Sequence, residues 1–229
     1  MNKEIYLIRH GQSEANVALD LDNPSFYYDT KLTSLGKKQA QNTQKKLNNI
    51  DFDLLLCSPL TRALQTFNLV FPNLAQNAII LPFVREHTLC SSEVGRQPSI
   101  LEKEFPDFNF SNLKNFWWNN DISIDEKKII FESMEDLDKR VLIFKKWIQK
   151  RSEKRIALVS HGTFISRIIN YLLNNCEFEI WYLTMTSDFL VVQIRNTAKS
   201  FFSLNQFFSC NSALVIQSGS RAKDYGSGC

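Results

Sequence analysis

The chain has 229 residues and a formal net charge of +3, which suits one large domain with its own core and gives no reason to expect nucleic acid as a partner. Hydrophobic residues at 44% and charged residues at 22% are an ordinary globular balance, and no apolar run nears the roughly 18 residues of a membrane span, so no membrane partner is expected. Five cysteines (Cys57, Cys90, Cys176, Cys210, Cys229) are odd in number, scattered and without a C-x-x-C pair, which argues against a disulfide framework or zinc ribbon and fits reduced thiols in a cytoplasmic setting.

Residues 5–8 form a short apolar run ending at Arg9-His10-Gly11 and predict a buried strand. A polar helix is expected over 13–19, a loop over 20–30, and a helix over 33–48 with Leu35, Gln39, Ala40, Thr43 and Leu47 on one side. Residues 53–57 predict a second strand. Ser58-Pro59 then carries the chemistry of a helix start, with Ser as N-cap and Pro at the first helical position. A third strand is expected over 78–83. The stretch 85–131 has no sustained period and predicts an excursion with short helices, its aromatic residues (Phe105 to Trp118) more core than pocket wall. Ser133 caps a helix in which Met134, Leu137, Val141, Phe144 and Ile148 step by three and four. A fourth strand, 156–159, ends at Ser160-His161-Gly162, and a buried helix follows over 164–173. Two further strands are expected over 189–194 and 212–216; the rest of 181–208 is assigned nothing. Strands alternating with helices give an α/β class, a three-layer α/β/α sandwich with a mostly parallel central sheet. The expectation is one domain over residues 1–217, with 85–131 shaping the substrate pocket and 218–229 a flexible tail.

In open α/β sheets, ligands bind beyond the carboxyl ends of the strands. Four groups of residues fall there: Arg9-His10-Gly11, Ser58 with Arg62 a helical turn on, Arg85-Glu86-His87, and His161-Gly162. Two of the chain's three histidines therefore stand at strand-to-helix junctions, each followed by a glycine that lets backbone approach an anion. A zinc site built on the histidines is disfavoured by the arginines beside them, so no metal is expected.

These residues resemble a known family. Arg9-His10-Gly11-Gln12-Ser13-Glu14-Ala15-Asn16 is similar to the opening signature of the histidine phosphatase superfamily, the phosphoglycerate-mutase-like proteins. Leu32-Thr33-x-x-Gly36-x-x-Gln39-Ala40, Ser58-Pro59-Leu60-x-Arg62-Ala63-x-Gln65-Thr66, Glu132-Ser133-x-x-x-Leu137-x-x-Arg140-Val141, Val159-Ser160-His161-Gly162 and Ser209-Cys210-Asn211-Ser212 resemble its later blocks, in its order, over roughly residues 4–217. The resemblance implies a phosphoglycerate-mutase-like fold and a phosphatase that needs no cofactor. It implies His10 as nucleophile, Arg9, Arg62 and His161 around the phosphoryl oxygens, and Glu86 as the acid, with Glu93 as the alternative. Gly11, Asn16, Arg85, Gly162 and Thr163 are the implied phosphate or substrate contacts. The implied partner is a small phosphate monoester or a phosphopeptide; neither the substrate nor the oligomeric state is legible.

Two rival functions are a mutase and a non-catalytic phospho-ligand binder. The mutase branch carries a Trp-Asn pair after the first motif and Glu-Arg-His-Tyr at the acid, where this chain has Ala15-Asn16 and Glu86-His87-Thr88-Leu89. A non-catalytic relative would be expected to lack the nucleophile or an arginine, and all of them are present.

Overall fold

The computed structural model describes residues 2–20, 28–119, 130–185 and 190–195. The predicted strand over 212–216 and the predicted tail from 218 lie outside the described residues. Among these the chain forms β1 (Asn2–Arg9), α1 (Glu14–Asp20), α2 (Ser34–Leu47), β2 (Leu54–Cys57), α3 (Thr61–Val70), β3 (Ala78–Ile80), α4 (Pro98–Glu104), α5 (Met134–Gln149), β4 (Arg155–Ser160), α6 (Gly162–Ile169), β5 (Phe178–Met185) and β6 (Leu190–Arg195). Short 3-10 turns cover Ala75–Asn77, Pro82–Val84 and Ser91–Glu93.

The six strands form one sheet in the order β3-β2-β4-β1-β5-β6. β3, β2, β4 and β1 are parallel; β5 pairs antiparallel with β1, and β6 antiparallel with β5, at one edge. Alternate residues face opposite layers, as the pleat requires. Tyr6, Ile8, Leu55, Cys57, Ala157 and Val159 pack with α2, α3 and the aromatic residues of the excursion. Ile5, Leu7, Leu54, Leu56, Ile156 and Leu158 pack with α5 and α6. This is the expected three-layer α/β/α sandwich with a mostly parallel sheet. Phe105, Phe108, Phe110, Trp117 and Trp118 are buried, as the core reading of the excursion expects. No helix among the described residues is long and apolar enough to cross a membrane.

Four local expectations are corrected. Helix α3 begins at Thr61 after Leu60, not at Pro59. Its first amide is satisfied by the buried carboxylate of Asp29, which accepts from Thr61 N at 2.7 Å and Thr61 Oγ1 at 2.6 Å, while the Ser58 hydroxyl lies 2.7 Å from His161. Leu35 is exposed, because Gly36 rather than Leu35 joins Ala40, Thr43 and Leu47 on the buried face of α2. Helix α6 stops at Ile169, because Asn170 takes a left-handed φ of 65° that only a few residue types tolerate. Leu172 is consequently exposed rather than part of a buried helical face. Strand β5 lies in a segment to which periodicity assigned nothing: its apolar residues face both layers, Ile180 one and Trp181 and Leu183 the other.

Candidate active site

Register brings the motifs together. Arg9 pairs with Ser160 and Cys57 with Val159, so the carboxyl ends of β1, β2 and β4 end level with one another. His10, Ser58 and His161 each follow directly. The backbone continues the pairing, with His10 N donating to Ser160 O at 3.0 Å and Ser58 N to Val159 O at 3.0 Å. The imidazoles of His10 and His161 lie with centroids 5.0 Å apart.

His10 is buried, and its Nδ1 lies 2.7 Å from the carbonyl of Gly11. A carbonyl only accepts, so Nδ1 carries the proton and Nε2 keeps its lone pair. Arg62 Nε donates to that Nε2 at 3.3 Å. Burial and then Arg62 hold the His10 pKa well below its usual 6.5; the Gly11 carbonyl pulls the other way, and Arg9 adds a smaller push down. Gly11 is itself anchored by donating its amide to Thr66 Oγ1, 3.0 Å away, whose hydroxyl donates to Arg62 O. Both backbone polar groups of Gly11 are thus engaged within the fold, and its place is behind His10 rather than at a ligand.

Arg62 sits on the first turn of α3 with its guanidinium turned back over the strand ends. Nη1 donates to Ser92 O at 2.8 Å, and Nη2 pairs with Glu93 at 3.5 Å. Glu93 also accepts from Cys90 N and from the hydroxyl of Ser92. The alternative acid is therefore the carboxylate that steers Arg62.

His161 is fully buried, with Nε2 2.7 Å from Ser58 Oγ and Nδ1 without a partner among the described residues. Ser58 Oγ accepts from Leu60 N at 3.4 Å, so its own proton is free to go to His161 Nε2, which leaves Nδ1–H as an unspent donor. Burial and the surrounding cations, Arg62 first, hold the His161 pKa well below 6.5. Arg9 donates from Nη1 to Leu173 O at 2.6 Å, while its buried Nε has no partner among the described residues. A Cβ at Gly162 would stand 3.1 Å from Arg9 Nε and 3.2 Å from Cζ, so the missing side chain lets the guanidinium lie against the start of α6. Two guanidiniums and two neutral imidazoles, with unspent donors at Arg9 Nε and His161 Nδ1, suit a compact tetrahedral oxyanion.

Glu86 reaches the same end of the sheet. Its carboxylate accepts from Thr163 N at 3.2 Å, Phe164 N at 3.3 Å and His87 N at 2.9 Å, over the N-terminus of α6. The Thr163 amide, expected to face phosphate, is thus taken by Glu86. Asn16 spends Oδ1 on three donors: Ser13 N, Ser13 Oγ and Asn175 Nδ2. Asn175 Nδ2 also donates to His10 O at 3.2 Å. Arg85 is not brought to this cluster. It is buried against Trp118 O, to which Nε donates at 3.0 Å, and against Glu132 at 3.2 Å. Burial, then the neighbouring Arg140, lowers its pKa to about 9. His87 turns the same way, with Nε2 2.8 Å from Glu132 O. The roles of Asp29, Glu93 and Asn175 went unread in the sequence. Each acts by holding another residue, and no spacing rule marks such a partner.

A family model for the histidine phosphatase superfamily (branch 1) matches residues 5–204. The phosphoglycerate mutase-like protein 1 of Arabidopsis thaliana is 28% identical, over 78% of this chain and 74% of its own. The adenosylcobalamin/α-ribazole phosphatase of Escherichia coli is 29% identical, over 78% and 83%. The crystal structure of the α-ribazole phosphatase from Shigella flexneri aligns with a TM-score of 0.56 at 26% identity, over 85% of this chain and 96% of that one. With its strand-end histidines and arginines in one cluster and the family model spanning most of its length, the chain belongs to the histidine phosphatase superfamily.

Proposed function

We propose that this protein is a metal-independent phosphomonoesterase that works through a phosphohistidine at His10. The observation that carries the reading is the hydrogen bonding of the His10 ring. Nδ1 lies against the Gly11 carbonyl, which can only accept, and Nε2 accepts a long 3.3 Å bond from Arg62 Nε, so Nε2 is the nitrogen without a proton, and an incoming phosphoryl group takes over that bond. The Nε2 lone pair attacks phosphorus. Arg9, Arg62 and His161 spread the charge of the three phosphoryl oxygens, which carries most of the catalysis in phosphoryl transfer. The P–O bond to the leaving group breaks, and the departing oxygen takes a proton from Glu86. Glu86 then takes a proton from water, whose oxygen displaces His10 and releases inorganic phosphate. Asn16, whose Nδ2 has no partner among the described residues, is the remaining polar donor offered to the phosphate.

The substrate is a small phosphorylated metabolite or a phosphoprotein. The relatives named as α-ribazole phosphatases support the metabolite. A panel of phosphometabolites and phosphopeptides tests the reading directly. Release of inorganic phosphate, unchanged in excess EDTA and inhibited by vanadate, is the expected result. Phosphate transfer to an acceptor sugar acid without release, or activity lost to EDTA and restored by Mg²⁺ or Zn²⁺, contradicts it.

A further inference from the structure

The segment that carries Glu86 has no regular secondary structure past Val84, yet its backbone is tied down at four consecutive carbonyls. Arg140 Nη1 donates to Phe83 O at 2.8 Å and Arg85 O at 3.0 Å, and Nη2 donates to Glu86 O at 3.2 Å. The fourth, Val84 O, accepts from the Ser160 hydroxyl at 2.7 Å. Arg140 is in turn gripped by Glu132, with Nε donating to Oε1 at 2.6 Å and Nη2 to Oε2 at 2.5 Å. Its guanidinium carbon also lies 5.6 Å over the ring of Phe164, whose amide donates to the Glu86 carboxylate. Glu132 closes the far end of the segment, donating from N to Thr88 O at 2.9 Å.

A buried ion pair such as Arg140–Glu132 adds little net stability over apolar packing, because both charges lose their water. What a planar guanidinium supplies here is geometry: a rigid fork that meets several carbonyls and a carboxylate at once, which an ammonium cannot reproduce. We propose that Arg140 and Ser160 are positioning residues whose clamp on the carbonyls of residues 83–86 holds the Glu86 carboxyl where it exchanges a proton with the leaving oxygen. The proposal rests on the reading of Glu86 as the acid. It predicts a loss confined to the step in which that proton matters.

The test is kcat/KM over a series of phosphate monoesters, from nitrophenyl phosphate to simple alkyl phosphates, for Arg140→Lys, Ser160→Ala, Glu86→Gln and the pairwise combinations with Glu86→Gln. Arg140→Lys is expected to lose about 10- to 100-fold on alkyl phosphates, the scale of a misplaced catalytic group. It is expected to lose little on nitrophenyl phosphate, whose leaving group needs no proton. Ser160→Ala, which removes one small buried bond, is expected to show the same trend more weakly, and it carries the test if Arg140→Lys does not fold. Neither is expected to add a leaving-group-dependent loss in the Glu86→Gln background. Equal losses across the series, or the same trend without Glu86, overturn the clamp while the phosphatase reading stands. A flat series for Glu86→Gln itself removes Glu86 as the acid, and the clamp with it.

Discussion

His10 and His161 are kept neutral first by burial and then by the same cations that are offered to phosphate. Burial and the adjacent guanidiniums put both folded-state pKa values well below 6.5, the value each regains in the unfolded chain. As pH falls through about 6.5, the unfolded chain takes up protons that the fold refuses, and stability drops. Above that value this contribution is complete. Unfolding by urea at pH values from about 8 down to 5 is expected to give a midpoint that is flat at first and then declines. His161→Gln, which removes one of the two groups, is expected to decline less steeply; an equally steep decline contradicts the assignment. Among the single residues, Arg9, His10 and His161 were legible because strand ends announce themselves in sequence, an apolar run and then a polar residue and glycine, and Arg62 because it lies one helical turn past the end of β2. Arg85 was misplaced, because the side chain beside an expected acid has two directions to take, and only the buried Glu132 decides between them.

Helix starts carry much of the site, and the approach of α2 to the first motif shows what fixes them. Thr33 caps α2 by accepting from Gly36 N at 3.0 Å, and Gln12 N donates to Gln39 Oε1 at 2.9 Å. A Cβ on Gly36 would lie 2.1 Å from Gln12 O, and one on Gly11 would lie 2.5 Å from Gly36 O. Gly36→Ala therefore sets two effects against each other. Alanine favours a helix over glycine by about 1 kcal/mol, while forcing two backbones apart costs about 1–3 kcal/mol. At 2.1 Å from a carbonyl oxygen the second effect wins, and a lower urea midpoint with reduced kcat is expected; a raised midpoint contradicts the packing. The start of α3 was misread for a related reason. Ser58-Pro59 has the right chemistry for a cap, but the hydroxyl is held by His161, and the cap comes from Asp29 across the fold. Strand β5 was missed because both its faces are covered, so it lacks the alternation that marks a half-buried strand.

At the scale of the sheet, the parallel arrangement of β1, β2 and β4 turns separate sequence motifs into one cluster of two histidines and two arginines, with the Glu86 carboxylate at the same end. The layer order was legible because strand and helix periods alternate along the chain. The path of the excursion was not, because its aromatic residues pack by shape rather than by period. The most direct test of this account is to stop the protein during turnover on a phosphate monoester by rapid quenching without acid, and to locate any covalent phosphoryl group by peptide mass spectrometry. One phosphoryl group is expected on the His10 peptide, acid-labile and base-stable as an N–P bond is. His10→Ala is expected to form no adduct and to turn over about 10³-fold more slowly or worse. A phosphoryl group on His161, or full turnover in His10→Ala, would contradict the account.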